Sequence, residues 1–150
     1  MTLLLPKMIE QLKQQLHDGG YSCVIANGSE VRTFTRRGVA DLFDLLENDS
    51  AFLKGAIIAD KVIGKGAAAL MIQGGAATVY TDVISEPALS LFLDAHVEIS
   101  YARVVPFIEN RDKTDWCPLE KRCFQKKSAA EIIPVIKEFI AQMRAGGMKS

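Results

Sequence analysis

The sequence has no excess of either charge. Eighteen lysines and arginines balance 18 aspartates and glutamates, for a formal net charge of zero at pH 7. No general attraction to nucleic acid or to an anionic membrane surface follows, and charge can select a ligand only through local patches. No apolar run reaches the roughly 20 residues needed to cross a bilayer. The first residues, Met1 to Lys7, lack a basic leader with a cleavage site, so no signal peptide is expected. Cysteine and histidine are scarce. Cys23, Cys117 and Cys123 leave at least one thiol unpaired, which points to a reducing, cytoplasmic location. His17 and His96 are the only candidate imidazole bases. There is no internal repeat, low-complexity tract or long linker.

What the chain has is apolar content. Hydrophobic residues make up 49% of 150 positions, enough for one globular domain with a full core over residues 1–150. Leu5, Met8, Ile9, Leu12 and Leu16 recur at helical spacing, and Asp18-Gly19-Gly20 ends that helix. Tyr21 to Ala26 reads as a strand. Asn27-Gly28 reads as a two-residue hairpin turn, with a return strand over Val31 to Phe34. Arg36-Arg37-Gly38 opens a second helix, with Val39, Leu42, Phe43, Leu45 and Leu46 on its inner side.

Strands and helices then alternate. Strands are expected near 55–62, 78–84 and 97–105, and helices near 65–73 and from Ser85 to about His96. Ser85 caps the latter and Pro87 sits in its first turn. Ser128-Ala129-Ala130-Glu131 is a capping box for a last helix over about 128–145, and Pro134 suggests a start slightly further on. Residues 106–127 read as the least regular part. This alternation implies an α/β fold, with helices packed on a mainly parallel sheet. Ligands of such sheets bind at the carboxyl ends of strands, which places Thr35–Gly38, Asp60–Gly66 and Asp82–Ser85 along one rim.

The most informative stretch is Asp60-Lys61-Val62-Ile63-Gly64-Lys65-Gly66, between an apolar strand and a helix opening with Ala67-Ala68-Ala69. Glycines let a ligand approach the backbone, a helix start carries partial positive charge, and two lysines add whole charges. Lys61, Gly64, Lys65 and Gly66 are thus expected to form an anion site. Asp60 is placed at a strand end, as a turn cap or a partner for a ribose hydroxyl or an amine. Arg36 and Arg37 are candidates for paired hydrogen bonds to phosphate. Ser85 is foremost a cap, and with Cys117 and Glu120 it completes the expected set of ligand-binding residues. In Cys117-Pro118-Leu119-Glu120, Cys117 is a structural thiol or a nucleophile near basic residues, and Glu120 holds the loop through backbone N–H groups. Trp116 packs the loop down or stacks on a base.

The element order resembles the cytidine deaminase-like superfamily. Asp60-Lys61-Val62-Ile63-Gly64-Lys65-Gly66, Val83-Ile84-Ser85 and Asn110-Arg111 with Cys117-Pro118-Leu119-Glu120 are similar to a small bacterial family of unknown function within it. The resemblance covers roughly residues 5–125. It implies a three-layer α/β/α fold: a mixed sheet with an N-terminal hairpin and mainly parallel remaining strands. It also brings out a departure. Zinc deaminases need His (or Cys)-x-Glu at one helix start and Pro-Cys-x-x-Cys at the next. Here those places read Arg37-Gly38-Val39-Ala40 and Gly64-Lys65-Gly66-Ala67. His96-Val97-Glu98 mimics the first motif but ends a helix instead of starting one. No metal ligands, no zinc, no cofactor and no deaminating residues are therefore expected.

Two functions follow as expectations. The first is a non-deaminating binding module for a small phosphorylated ligand of nucleotide type, ADP-ribose-like or a nucleoside diphosphate. The second is an enzyme with Lys61, Lys65 or Cys117 as nucleophile and Asp60 or Glu120 moving protons. Neither involves a nucleic acid or a membrane, and zero net charge is compatible with a homo-oligomer.

Overall fold

The computed structural model describes residues 4–36, 39–109 and 113–145, with side chains from Lys7 onward. Arg37, Gly38, Asn110, Arg111 and Asp112 lie outside the described residues. In chain order the elements are α1 (Leu4–Asp18), β1 (Cys23–Asn27), β2 (Glu30–Phe34), α2 (Ala40–Asn48), α3 (Ser50–Leu53) and β3 (Ile57–Ile63). There follow α4 (Lys65–Gly74), β4 (Thr78–Ser85), α5 (Glu86–Asp94), β5 (Glu98–Val105), α6 (Pro118–Cys123) and α7 (Ala129–Ala145).

The strands form one open sheet in the order β2-β1-β3-β4-β5. β1 is antiparallel to both β2 and β3, while β3, β4 and β5 run parallel. The turn between β1 and β2 is shifted one residue from the expected Asn27-Gly28. Asn27 pairs with Glu30 as the last residue of β1, leaving Gly28-Ser29 at the tip. Gly28 supplies the positive φ of 62° that this tip needs. The Asn27 amide instead donates to the carbonyls of Phe52 (2.8 Å) and Lys54 (3.0 Å), tying β1 to the end of α3.

The helices fall on both faces. α1 lays Leu12 and Leu16 on Val24, Ala26, Ile57, Ala59 and Tyr80. The larger core lies opposite, where Ile25, Ile58, Val79 and Ile84 meet residues of α2, α4, α5 and α7. α4 is the hub of that layer. It is apolar on nearly every side, as a helix sunk within a core must be. Gly66 to Met71 are buried without interruption. Its small residues let neighbours come close. A Cβ on Gly66 would sit 2.8 Å from Leu119 Cδ2, and one on Gly74 would sit 2.7 Å from the Leu53 side chain.

Four local expectations are corrected. The helix expected to reach His96 ends at Asp94, and His96 takes a left-handed φ of 59° in the turn into β5. Residues 106–127, expected to be irregular, contain α6, with Pro118 in its first turn. α7 starts at Ala129 in spite of Pro134, and its Glu131 N–H donates to Ser128 Oγ at 3.3 Å. Val83, expected to be buried along with Ile57, Ile58 and Val79, is half-buried, because the inward face shifts by one residue toward the ends of β3 and β4, where Ile63 and Ile84 are fully buried.

Ile58 is fully buried at the centre of β3. Ile58→Ala should lower unfolding free energy by about 2–5 kcal/mol in a urea melt. A loss near zero would mean that β3 is not the central strand.

Candidate functional site

The start of α4 is filled from within. Glu120, only 2% exposed, reaches across from α6. Its Oε1 accepts the Lys65 N–H at 2.8 Å, and its Oε2 accepts the Ile108 N–H at 2.9 Å. Gly64 leaves the room. A Cβ there would lie 3.3 Å from Glu120 Oε2 and 3.2 Å from Ile108 Cγ1. An anion does sit at this helix start, as its partial positive charge favours, and it is the protein's own carboxylate.

Lys65 does not face that anion with its side chain. It is 7% exposed, and its ammonium donates to the Phe124 carbonyl at 2.9 Å and to the Lys126 carbonyl. Burial lowers its pKa from the ordinary lysine value. Lys65 and α6 therefore hold each other twice, through Glu120 at one end of α6 and through the carbonyls beyond its other end. Gly66 is small for Leu119 of α6, which occupies the space that the sequence assigned to a ligand.

Asp60 is not at a strand end. It is the fourth of seven residues in β3, opposite Cys23 on one side and Thr81 on the other. Its Oδ1 accepts the Val62 N–H at 3.2 Å. Burial pushes its pKa up to about 7, against the pull of hydrogen bonds from the Val62 and Lys61 N–H groups and the Cys23 thiol. Burial first, and then the Asp60 charge, pushes the Cys23 thiol well above its ordinary value.

The remaining rim residues are spread out. Lys61 is exposed on β3, and its N–H donates to the Ser22 carbonyl at 3.1 Å. Arg36 is drawn onto α2, where its Nε donates to Asp41 Oδ1 at 2.9 Å and Asp44 lies 3.9 Å from its terminal nitrogen. Arg37 lies outside the described residues. Ser85 is buried, and its hydroxyl accepts the Ala88 N–H at 3.3 Å, the expected cap of α5. Cys117 is half-buried at the N-cap of α6, with its N–H donating to the Ile108 carbonyl at 2.7 Å. Among the described residues, no three His, Cys, Asp or Glu side chains are grouped to hold a metal ion.

The concave surface lies beside this rim, at the carboxyl end of β5. An open cleft of about 770 Å³ runs between α5 and the strip around α6. Glu86, Pro87, Ser90, Leu91 and Asp94 form the α5 side, and Pro106, Phe107, Trp116, Phe124 and Gln125 to Lys127 the other, with Lys65 lining it too. Phe107 and Trp116 stack with centroids 4.6 Å apart and planes within 8°, and Phe124 meets Trp116 edge-on at 4.9 Å. An isolated antiparallel bridge from Glu109 to Trp116 holds the strip together. Of the residues expected at the rim, Lys65 alone among the described residues lines this cleft. Sequence reasoning singled out Trp116 but missed Phe107, Phe124, Lys126 and Lys127. Their signal was aromatic residues interleaved with lysines over 107–127.

Residues 11–140 match the model of TM1506, a domain of unknown function (DUF1893). The chain belongs to that family. No curated protein matches it. Among solved structures it is similar to a DUF1893 family protein (TM1506) from Thermotoga maritima, with a TM-score of 0.82 at 23% identity, over 88% of this chain and 89% of that one. The likeness establishes the DUF1893 fold for these elements and carries no ligand with it.

The pKa of Asp60 gives a pH signature. Its folded value, about 7, lies above the ordinary 3.8, so the folded state holds its proton more tightly than the unfolded state. The associated stability is present below about pH 4 and is lost as pH rises to about 7, by on the order of 4 kcal/mol at most. Asp60→Asn should therefore gain stability relative to wild type across that window and keep a constant advantage above it. Urea melts of both proteins from pH 4 to 8 check this. A flat difference would place an ionised Asp60 in the folded protein throughout.

Proposed function

We propose that this chain is a non-deaminating binding module of the cytidine deaminase-like kind. Its ligand is a small phosphorylated molecule of nucleotide type, ADP-ribose-like or a nucleoside diphosphate, held in the cleft between α5 and the aromatic strip. The deaminase-like part of this reading is supported by the element order and by one antiparallel strand pair leading into three parallel strands. The absence of the zinc-binding motifs from both helix starts supports the non-deaminating part. Unpaired cysteines support a reducing, cytoplasmic setting. Among the described residues, no helix is long and apolar enough to cross a membrane.

The observation that carries the reading is the stacked Phe107–Trp116 pair, which shares one cleft with Phe124, Lys126 and Lys127. A flat base gains stacking energy on such a wall, and flanking ammonium groups favour phosphate. The opposite wall offers Pro87 and Leu91 to the second face of the ring, and Glu86 and Asp94 to hydroxyl or amino groups. The size suits a ligand of this class. The place of binding moves from the α4 start, which Glu120 fills, to the neighbouring cleft.

Calorimetry with adenosine, ADP and ADP-ribose tests the reading. Both phosphorylated ligands should bind more tightly than adenosine, and their affinity should fall as salt rises. Trp116→Ala should weaken ADP binding by about five- to 150-fold, the equivalent of one lost stacking contact. Lys126→Ala with Lys127→Ala should remove the preference for phosphate, and Lys61→Ala should leave binding unchanged. The reading fails if adenosine binds as tightly as ADP, or if the Trp116 variant binds like wild type.

A further inference from the structure

Among the described residues between β5 and α6, the isolated Glu109–Trp116 bridge is the regular pairing of the cleft wall. Phe107 and Trp116 sit on a strip whose backbone is pinned at Ile108, and each pin has a direction. The Ile108 carbonyl accepts the Cys117 N–H at 2.7 Å, closing the strip on itself. The Ile108 N–H points the other way, to Glu120 Oε2 at 2.9 Å. The other oxygen of the same carboxylate takes the first N–H of α4 at 2.8 Å. Glu120 thus links the Phe107–Trp116 segment by hydrogen bonds to the buried helix at the centre of the larger core, beside the Lys65 bonds to the Phe124 and Lys126 carbonyls. No cation lies within ion-pair distance of it among the described residues, so two N–H groups and the helix start bear its charge. Its two oxygens both act as acceptors, which a carboxylate can do and an amide cannot.

We propose that Glu120 is the positioning residue of the cleft: its carboxylate is a built-in anion that clamps the Phe107–Trp116 strip to α4, and a free small carboxylate can take over that role when the side chain is removed. Shortening Glu120 to alanine excises the atoms of an acetate ion. The two N–H donors and the space kept open by Gly64 remain, so acetate is the matching replacement. This rests on the cleft reading above only for its affinity readout. The positioning itself is read by Trp116, the single tryptophan of the chain.

The test uses full-length Glu120→Ala and Glu120→Gln, in sodium acetate and in sodium chloride of equal ionic strength. In chloride, Glu120→Ala should show red-shifted Trp116 emission and at least tenfold weaker ADP binding. Acetate should restore at least half of both changes, while wild type responds equally to the two salts. Glu120→Gln keeps the volume but turns an amide NH₂ toward an N–H, so it should show the same red shift without rescue. If Glu120→Ala does not fold in chloride, recovery of its native circular dichroism by acetate, but not by chloride, supports the clamp equally. The proposal is overturned if acetate does no more than chloride, or if both variants keep wild-type emission. If wild type binds no ADP, the cleft reading fails by itself, and emission and acetate rescue still decide the clamp.

Discussion

The arrangement around the cleft depends on one mutual grip between Lys65 and α6. A carboxylate taken out of water costs several kcal/mol unless its lone pairs are met, and Glu120 meets them with two backbone N–H groups at 2.8 and 2.9 Å. A buried ammonium carries the same kind of cost. Lys65 meets it with the carbonyls of Phe124 and Lys126, just beyond the end of α6. The two charges are not paired with each other through their side chains. Each is answered by backbone of the other's segment, and this fixes a six-residue helix that is too short to be stable alone. Through it, Trp116 and Phe124 on the flanks of α6 are placed across the cleft from α5.

That grip needs α4 to be an unyielding base. Its run of small residues brings the helix close to its neighbours, and the missing side chain of Gly66 is where Leu119 fits. A Cβ there would meet Leu119 Cδ2 at 2.8 Å, so that buried side chain would have to shift. The glycines of this stretch are thus spent on contacts within the protein. Gly64 makes way for a carboxylate and Gly66 for a leucine.

How much could be read from the sequence follows from the range of the interactions. The larger helices and strands carry their own signals: spacing in α1, the Ser85 and Ser128 caps, and the apolar runs of β3 and β4. These elements appear close to their expected positions. The Gly-Lys-Gly stretch does lie at a helix start, and Glu120 does accept backbone N–H groups, but the carboxylate takes the place that was expected for a ligand. What local pattern could not supply was that these two observations are one contact, 55 residues apart in the chain. Asp60 was misplaced for a related reason. An aspartate after an apolar run reads as a terminus, yet here the strand continues past it because the Val62 N–H and the Cys23 thiol satisfy the side chain. α6 went unseen because six residues give too little periodicity.

The same geometry bears on catalysis by a nucleophile. Burial pushes the Cys23 thiol well above its ordinary value and the Cys123 thiol to about 11, which keeps both in the less reactive protonated form. Cys117 packs against the larger core, whereas His17 is on the α1 side of the sheet, its Nε2 2.9 Å from Asp82. The sheet separates that imidazole from that thiol. Lys65 has the stronger case, since burial lowers its pKa and it lines the cleft. Its two carbonyl partners work against this, because they reward the protonated ammonium and would face the lone pair of a neutral amine with oxygen. Nor does Lys65→Arg separate a nucleophile from a binding cation here. A guanidinium cannot occupy a buried site shaped for an ammonium between two carbonyls, so the change would loosen α6 under either reading. The exposed side chains of Lys126 and Lys127 can be replaced with the Lys65 bonds to the Phe124 and Lys126 carbonyls left in place, because those bonds use backbone oxygens.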